Sequence, residues 1–208
     1  FDFGNSPLGF KDGQFKVDDT PVFLSAYTWK PDDEQSNAYF GNLNSQFIAP
    51  SYITSEQGAV NQNKLNEISN SIDERIGQVF VAHKNIPQWA YNTYSNFEDG
   101  SRLFHKYDID HEGARTLFSQ LFEKFVPVLQ GKRSSELGYM LFNEPSFFTQ
   151  DGLWNSGEVS ENTIVKFKAW LKEKHNTITA LNTLWDSDFA SFNDINITIP
   201  MSSNRKGS

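Results

Sequence analysis

Two kinds of apolar pattern alternate along the chain. Short continuous apolar runs bounded by turn residues occur in four places, at Val22 to Trp29, in "SQFIAPSYI", in "QVFVA" and in "GYMLF". Uninterrupted runs of this kind are typical of parallel strands that are covered on both faces. Between them, apolar residues recur at spacings of three and four, which is the pattern of amphipathic helices. The alternation predicts an α/β fold built on a parallel sheet.

The part of the chain before Pro127 contains a predicted hairpin and two predicted helices. Alternating side chains around an Asp-Asp turn predict a β-hairpin at about residues 10–21. The spacing of leucine and isoleucine predicts a helix over residues 63–76, with Gly77 as its stop. A second helix has an apolar face from Ala114 onward, and Pro127 is predicted to break or kink it.

The second half contains two further predicted helices. One follows Ser160 as its N-cap, with apolar side chains directed inward at Ile164, Phe167 and Leu171. A shorter helix carries Ile178, Leu181, Leu184 and Trp185. Trp170 and Trp185 both lie at core spacing, so both are predicted to be structural.

Composition excludes several classes of function. The length of 208 residues suits one domain or two small ones, and 15% aromatic residues are too many for a disordered chain. A net charge of −8 argues against a nucleic-acid backbone or an anionic membrane as partner, whereas a neutral sugar fits better. The absence of cysteine excludes disulfides, thiolate metal sites and cysteine nucleophiles. No apolar run approaches the length of a membrane helix, and the N-terminus lacks the pattern of a signal peptide.

Polar and aromatic residues follow the predicted strands. Ligands of parallel α/β folds sit beyond the carboxyl ends of the strands. We therefore expect a single ligand site at the carboxyl ends of the strands. Its expected lining is Trp29, Tyr52, His83, Lys84, Trp89, Asn143 and Glu144. The tryptophans either stack on sugar rings or pack in the core, and His83 either binds a sugar hydroxyl or is satisfied locally.

One loop of the sequence suggests either a metal cluster or a solvated loop. His105 and His111 lie close in sequence to Asp108 and Asp110, but they match no established ligand spacing. These residues are therefore predicted to form a loop, and no metal is expected there.

The motif "LFNEP" provides a specific candidate for catalysis. It resembles the fourth strand of the clan A glycoside hydrolases, which are (β/α)8 TIM barrels, where the Glu is the general acid/base and the preceding Asn binds a sugar hydroxyl. The resemblance implies these roles for Glu144 and Asn143. A carboxylic acid in a partly apolar site can hold the proton that a leaving glycosidic oxygen needs. Without the resemblance, Glu144 is an ordinary loop carboxylate and Asn143 a turn residue.

Other segments extend the resemblance over most of the chain. "DGQFKVDDTPVFLSAYTW" resembles the hairpin and first strand that open such barrels, and "VFVAHKNIPQWA" resembles their third strand. "FKAWLKEKHNTITALNTLWDSDFASFNDI" is similar to a segment of family 42 β-galactosidases and of the marine β-agarases of families 50 and 86. With "FIAPSYITSEQG" and "GYMLFNEPSFF" added, the agarases are the most similar.

The resemblance implies a retaining hydrolase that cleaves β-galactosidic linkages in agarose or a related marine galactan. It implies no organic cofactor and no catalytic metal, and a secreted or periplasmic location. A noncatalytic carbohydrate-binding half barrel and a β-galactosidase of the same clan are the alternatives.

The chain is expected to provide only part of a barrel. A complete barrel needs roughly 250 residues, and about the first four strand–helix units are recognisable here. Residues 1–208 are therefore predicted to form a single partial barrel domain. The clan's nucleophile is a second Glu on the seventh strand, and no residue here is assigned to it. We expect a fragment, or a half barrel that is soluble only when a second chain or the missing half covers its open edges.

Overall fold

The computed structural model describes residues 8–17, 19–23, 44–71, 77–100, 105–142 and 159–196. Contacts divide the chain into two compact units, the first comprising Phe1–Trp89 with Leu117–Asn143 and the second comprising Ala90–Thr116 with Glu144–Ser208. The predicted strand that ends at Trp29 lies largely outside the described residues, as do Asn143 and Glu144. Within the described ranges, no helix combines the length and the apolar character that crossing a bilayer requires.

The first unit opens with a small antiparallel sheet. Its strands are β1 (Leu8–Lys11), β2 (Gln14–Val17) and β3 (Thr20–Pro21), paired in that order. The turn between β1 and β2 consists of Asp12 and Gly13, whose φ angles are 55° and 74°. Two-residue hairpin turns require positive φ at both positions, which Asp-Gly tolerates best. Antiparallel strands therefore cover the segment in which the hairpin was predicted.

A parallel sheet forms the rest of the strand structure of this unit. It contains β4 (Asn44–Ile48), β5 (Gly77–Val81) and β6 (Tyr139–Met140) in the order β4-β5-β6. The central strand β5 pairs with both neighbours in parallel. Val79 and Val81 of β5 are fully buried, which is the reason for the continuous apolar run at this place in the sequence.

Helix α1 (Gln62–Asn70) is shorter than predicted. Asn61 caps its N-terminus by accepting a hydrogen bond from a main-chain N–H of the first turn. The helix ends because Ser71 adopts an extended conformation and its hydroxyl donates to the carbonyl of Ile68 at 2.8 Å. The prediction that Gly77 stops this helix is therefore wrong, since Gly77 begins β5.

Two helices cross the division between the units, α2 (Gln88–Thr93) and α3 (Glu112–Leu129). The sequence predicts that Pro127 breaks or kinks this helix. Helix α3 continues through Pro127, so a break is wrong, and a kink stays a prediction. Proline costs a helix one main-chain hydrogen bond and crowds the preceding turn. That cost is tolerated because Pro127 lies in the last turn of α3, where the buried side chains of Phe125 and Leu129 hold the helix in the core.

The second unit contains α4 (Glu161–His175), α5 (Ile178–Trp185) and a 3₁₀ turn at Phe192–Asp194. The Ser160 hydroxyl accepts the main-chain N–H of Thr163 at 3.1 Å, so the predicted N-cap of α4 is confirmed. Buried Leu171, Leu181 and Ile195 form a small core against which Phe167, Ile178, Phe189 and Phe192 pack.

The two tryptophans of these helices lie at the surface. Trp170 is 48% exposed and Trp185 is 42% exposed, so neither is buried in the core as its spacing suggested, and their structural role stays a prediction. Consecutive helix residues are separated by about 100° around the axis, which turns Trp170 away from the buried Leu171 beside it. Its ring stacks on Phe167, and the Lys174 ammonium lies 4.5 Å from the ring centre.

Candidate active site

The ends of β5 and β6 bring an imidazole and a phenyl ring together. The ring centroids of His83 and Phe142 are 4.5 Å apart, with an interplanar angle of 39°. His83 is 1% exposed and Phe142 is 38% exposed. The chain passes directly from Phe142 into Asn143 and Glu144. His83 therefore lies beside the segment that leads into the two residues predicted to act on the glycosidic bond.

The backbone and a second aromatic contact support this pair. The main-chain N–H of His83 donates to the carbonyl of Val81 at 2.7 Å, which turns the chain sharply at the end of β5. On α3, the ring of Phe118 lies 6.5 Å from that of Phe142. Phe142 is not among the predicted site residues. Its position as the last apolar residue before the "NEP" motif could have identified it.

Tyr52 follows β4 in a 3₁₀ turn, Pro50–Tyr52. Its ring lies 5.4 Å from the ring of Phe125 and is half-buried. Burial raises the pKa of Tyr52, which the Lys64 charge partly offsets and the Glu67 charge reinforces. The hydroxyl is therefore neutral over the physiological range and can only exchange hydrogen bonds with a ligand.

Trp89 lies in the first turn of α2 and is half-buried. Its indole N–H donates to the carbonyl of Ile53 at 2.9 Å. This bond ties α2 to the loop that contains Tyr52, and a second link joins the loops after β4 and β5, from Ser51 N–H to the Asn85 carbonyl at 2.8 Å. Because its N–H is engaged, Trp89 would contact a sugar through its ring.

Four of the seven predicted site residues are thus placed by the structure, and one of them, Lys84, is exposed directly after His83. Tyr52 and Trp89 contact the same loop after β4, and His83 lies at the end of the adjacent strand β5. Trp29, Asn143 and Glu144 fall outside the described residues, so their roles stay predictions.

Asp108 and Asp110, the acidic residues of the candidate metal cluster, accept hydrogen bonds from side chains of α4. In the second unit, the Asp108 carboxylate accepts a hydrogen bond from the Asn162 amide at 2.8 Å. The Asp110 carboxylate accepts bonds from the Thr163 hydroxyl and the Lys166 ammonium, both at 2.7 Å. Across the described part of the chain, no group of three or more His, Asp or Glu side chains is arranged to hold a metal ion.

His111 contributes to the start of α3. Its Nδ1 accepts the main-chain N–H of Gly113 at 2.9 Å, and its Nε2 lies 3.1 Å from the carbonyl of Ser95. The two bonds fit an imidazole that carries its proton on Nε2. This side chain caps the helix and holds a neighbouring loop, which is a structural role.

A comparison with solved structures supports a relation between this chain and the clan A glycoside hydrolases. The chain is similar to the crystal structure of an apo exo-carrageenase of glycoside hydrolase family 42 from Bacteroides ovatus. The likeness covers 95% of this chain at 33% sequence identity and a TM-score of 0.75. The α/β fold is therefore similar to that of a family 42 barrel.

The chain spans 27% of the length of that neighbour. No family model matches the sequence, and no curated protein matches it. Family 42 was the more distant of the two relations that the sequence suggested. The resemblance to the agarases of families 50 and 86 stays a prediction.

Proposed function

We propose that this chain supplies the acid/base part of a retaining glycoside hydrolase site that cleaves β-galactosidic linkages in a galactan. The observation that carries the proposal is the pair His83–Phe142 at the ends of two parallel strands, directly before Asn143 and Glu144. The similarity to a family 42 exo-carrageenase supports the same reaction class.

In the proposed mechanism, Glu144 protonates the glycosidic oxygen while the bond between this oxygen and the anomeric carbon breaks and a carboxylate nucleophile forms a bond to that carbon. It then removes a proton from the water that releases the sugar from the enzyme. Asn143 donates a hydrogen bond to a hydroxyl of the sugar at the cleaved bond. The mechanism also needs a carboxylate nucleophile about 5 Å from Glu144, and no residue of this chain is assigned to that role.

The described residues would form walls around this chemistry. The ring of Phe142 packs between His83 and Phe118, which holds the backbone immediately before Asn143 in one position. Tyr52 offers a neutral hydroxyl and Trp89 a ring face. Fixed walls of this kind keep a substrate in the orientation that reaction requires.

The proposed substrate is a galactan of marine type. The neighbour is described as an exo-carrageenase, and carrageenans are sulfated galactans, so a galactan of that kind is our first choice and agarose is the second. Such polymers are too large to enter a cell intact, and we therefore propose a secreted or periplasmic location. The noncatalytic alternative is a domain that holds the polymer without cutting it.

The test uses carrageenan, agarose and oligosaccharides of each as substrates. Sugar release is measured as new reducing ends for the wild type, Glu144→Gln and the control Glu173→Gln, which changes an exposed carboxylate on α4. We expect Glu144→Gln to lower the rate about 100-fold or more and Glu173→Gln to leave it unchanged. A Glu144→Gln protein with the wild-type rate would refute the assignment. Binding of oligosaccharide without any release would favour the noncatalytic alternative.

A further inference from the structure

A groove of about 460 Å³ runs along α4 in the second unit, on a face that plays no part in the proposed reaction. Helix α4 forms one side of it, and the 3₁₀ turn with Phe192 and Asn193 forms the other. None of the residues predicted to act on the glycosidic bond lines this groove.

The groove combines an apolar floor with two ammonium groups. Val165 and Phe192 contribute to the floor, and Val165 is 57% exposed. Lys168 and Lys172 stand one turn apart on α4, about 6 Å along its axis. Glu161 is the carboxylate of the lining, and it lies about 10 Å from Lys168 along the helix. Positive charge is therefore concentrated at one end of the groove.

The two lysines are available for an anionic ligand. Lys168 donates one hydrogen bond to the carbonyl of Asn193 at 2.6 Å, which orients its ammonium and leaves two further donors. Between the described residues, no salt bridge involves Lys168 or Lys172. Unneutralised neighbouring cations are noteworthy in a chain whose net charge is −8.

The groove is also held rigidly. Ser160 caps the start of α4, and Phe192 packs on the core formed by Leu171, Leu181 and Ile195. These contacts fix the backbone on both sides of the groove.

We propose that this groove is an auxiliary site for a sulfated galactan chain. The apolar face of a galactose unit would lie on Val165 and Phe192, and a sulfate ester would bind Lys168 and Lys172. The proposal rests on the proposed function for its substrate class, and it adds a binding surface outside the predicted catalytic residues. Such a site would hold the polymer on the enzyme between successive cuts.

The experiment measures the Kd of the whole protein for carrageenan and for the same polymer after chemical desulfation. The variant is Lys168→Gln/Lys172→Gln, and the matched control is Lys106→Gln/Lys124→Gln, which removes the same charge from two exposed lysines elsewhere. Circular dichroism verifies that both proteins are folded. Glutamine keeps a donor for the Asn193 carbonyl, so the variant should fold normally.

We expect the groove variant to weaken binding of carrageenan about fivefold or more, and the control to change it less than about twofold. Desulfated polymer should bind equally weakly to all three proteins. Wild-type affinity in the groove variant would overturn the proposal, as would an equal loss in the control or failure of the wild type to bind carrageenan.

These outcomes are independent of the proposed reaction. Sugar release from short oligosaccharides tests Glu144 alone. If Glu144→Gln retains the wild-type rate while the lysine variant loses polymer binding, the proposed role of Glu144 is wrong. The proposal that the groove binds the polymer is then still supported.

Discussion

His83 and Phe142 lie in ring contact, with centroids 4.5 Å apart, although they follow two different strands. The contact exists because β5 and β6 are parallel, with Phe80 paired to Met140, so that the residues after both strands emerge at the same edge. It places a buried imidazole next to the chain segment that enters Asn143 and Glu144. The position of that segment therefore depends on a contact that can be removed by one substitution.

If the proposed function is right, we expect Phe142→Ala to lower the rate of galactan hydrolysis by about tenfold to 100-fold, because the backbone before Asn143 loses its packing and the proposed acid/base Glu144 is misplaced. Since the ring is 38% exposed, the loss of stability should be moderate, about 1–2 kcal/mol. Rates are measured as reducing ends, and unfolding is followed in urea.

Phe142→Tyr is the control, since it keeps the ring and should retain most of the activity. An active Phe142→Ala protein that unfolds like the wild type would mean that the contact with His83 has no role in positioning the site.

The ion pair between Asp110 and Lys166 predicts a pH dependence of stability. Burial of the carboxyl raises its pKa, but hydrogen bonds from Lys166 and Thr163 and the charges of Lys166 and Arg115 outweigh this and lower the pKa of Asp110 below its ordinary value of 3.8. A group whose pKa falls on folding stabilises the protein fully above its ordinary pKa. That contribution is lost as the pH drops below 3.8 and through the lowered value.

Asp110→Asn should therefore reduce the free energy of unfolding by up to about 1 kcal/mol at pH 7, since the pair is partly exposed to solvent. The difference from the wild type should shrink at about pH 3, below the ordinary value of 3.8, because the carboxyl of the unfolded chain then binds a proton. Urea unfolding at both pH values measures it. Asp188→Asn, at an exposed position, should have no effect at either pH. A difference that is the same at both pH values would contradict the ion-pair origin.

The start of α3 leaves no room for a side chain at Gly113. A Cβ atom at this position would lie 2.4 Å from Cδ2 of Tyr94. We expect Gly113→Ala to destabilise the protein by about 1–3 kcal/mol, because the ring or the helix must move. Thermal unfolding measures the effect. Gly9→Ala is the matched control, because a Cβ there meets no atom within 4 Å and the change should be small. A neutral Gly113→Ala would show that Tyr94 can move aside without cost.

Some features were predictable because they depend on residues that are close in sequence. The N-cap Ser160 follows from the hydrogen bond between its hydroxyl and the N–H of Thr163, three residues later. The burial of β5 follows from its uninterrupted apolar run. The Asn-Glu-Pro motif identified a candidate catalytic carboxylate by resemblance alone.

Other local patterns were insufficient. The apolar spacing predicts that the first helix extends to Gly77. The helix ends earlier because the Ser71 hydroxyl donates a hydrogen bond to the carbonyl of Ile68. Trp170 has core spacing, but the angular position of Leu171 decides which side of α4 is buried.

The sequence by itself thus determined the alternation of strands and helices and the N-cap at Ser160, whereas Glu144 is a candidate acid/base by resemblance. Tertiary structure decided which strand ends meet, that Phe142 lies against His83, and that Lys168 and Lys172 share a groove with Phe192. The physical reason is the range of the interactions. Helix periodicity and capping act over a few residues, whereas strand pairing and side-chain packing join residues that are distant in sequence and are selected only when the whole core forms.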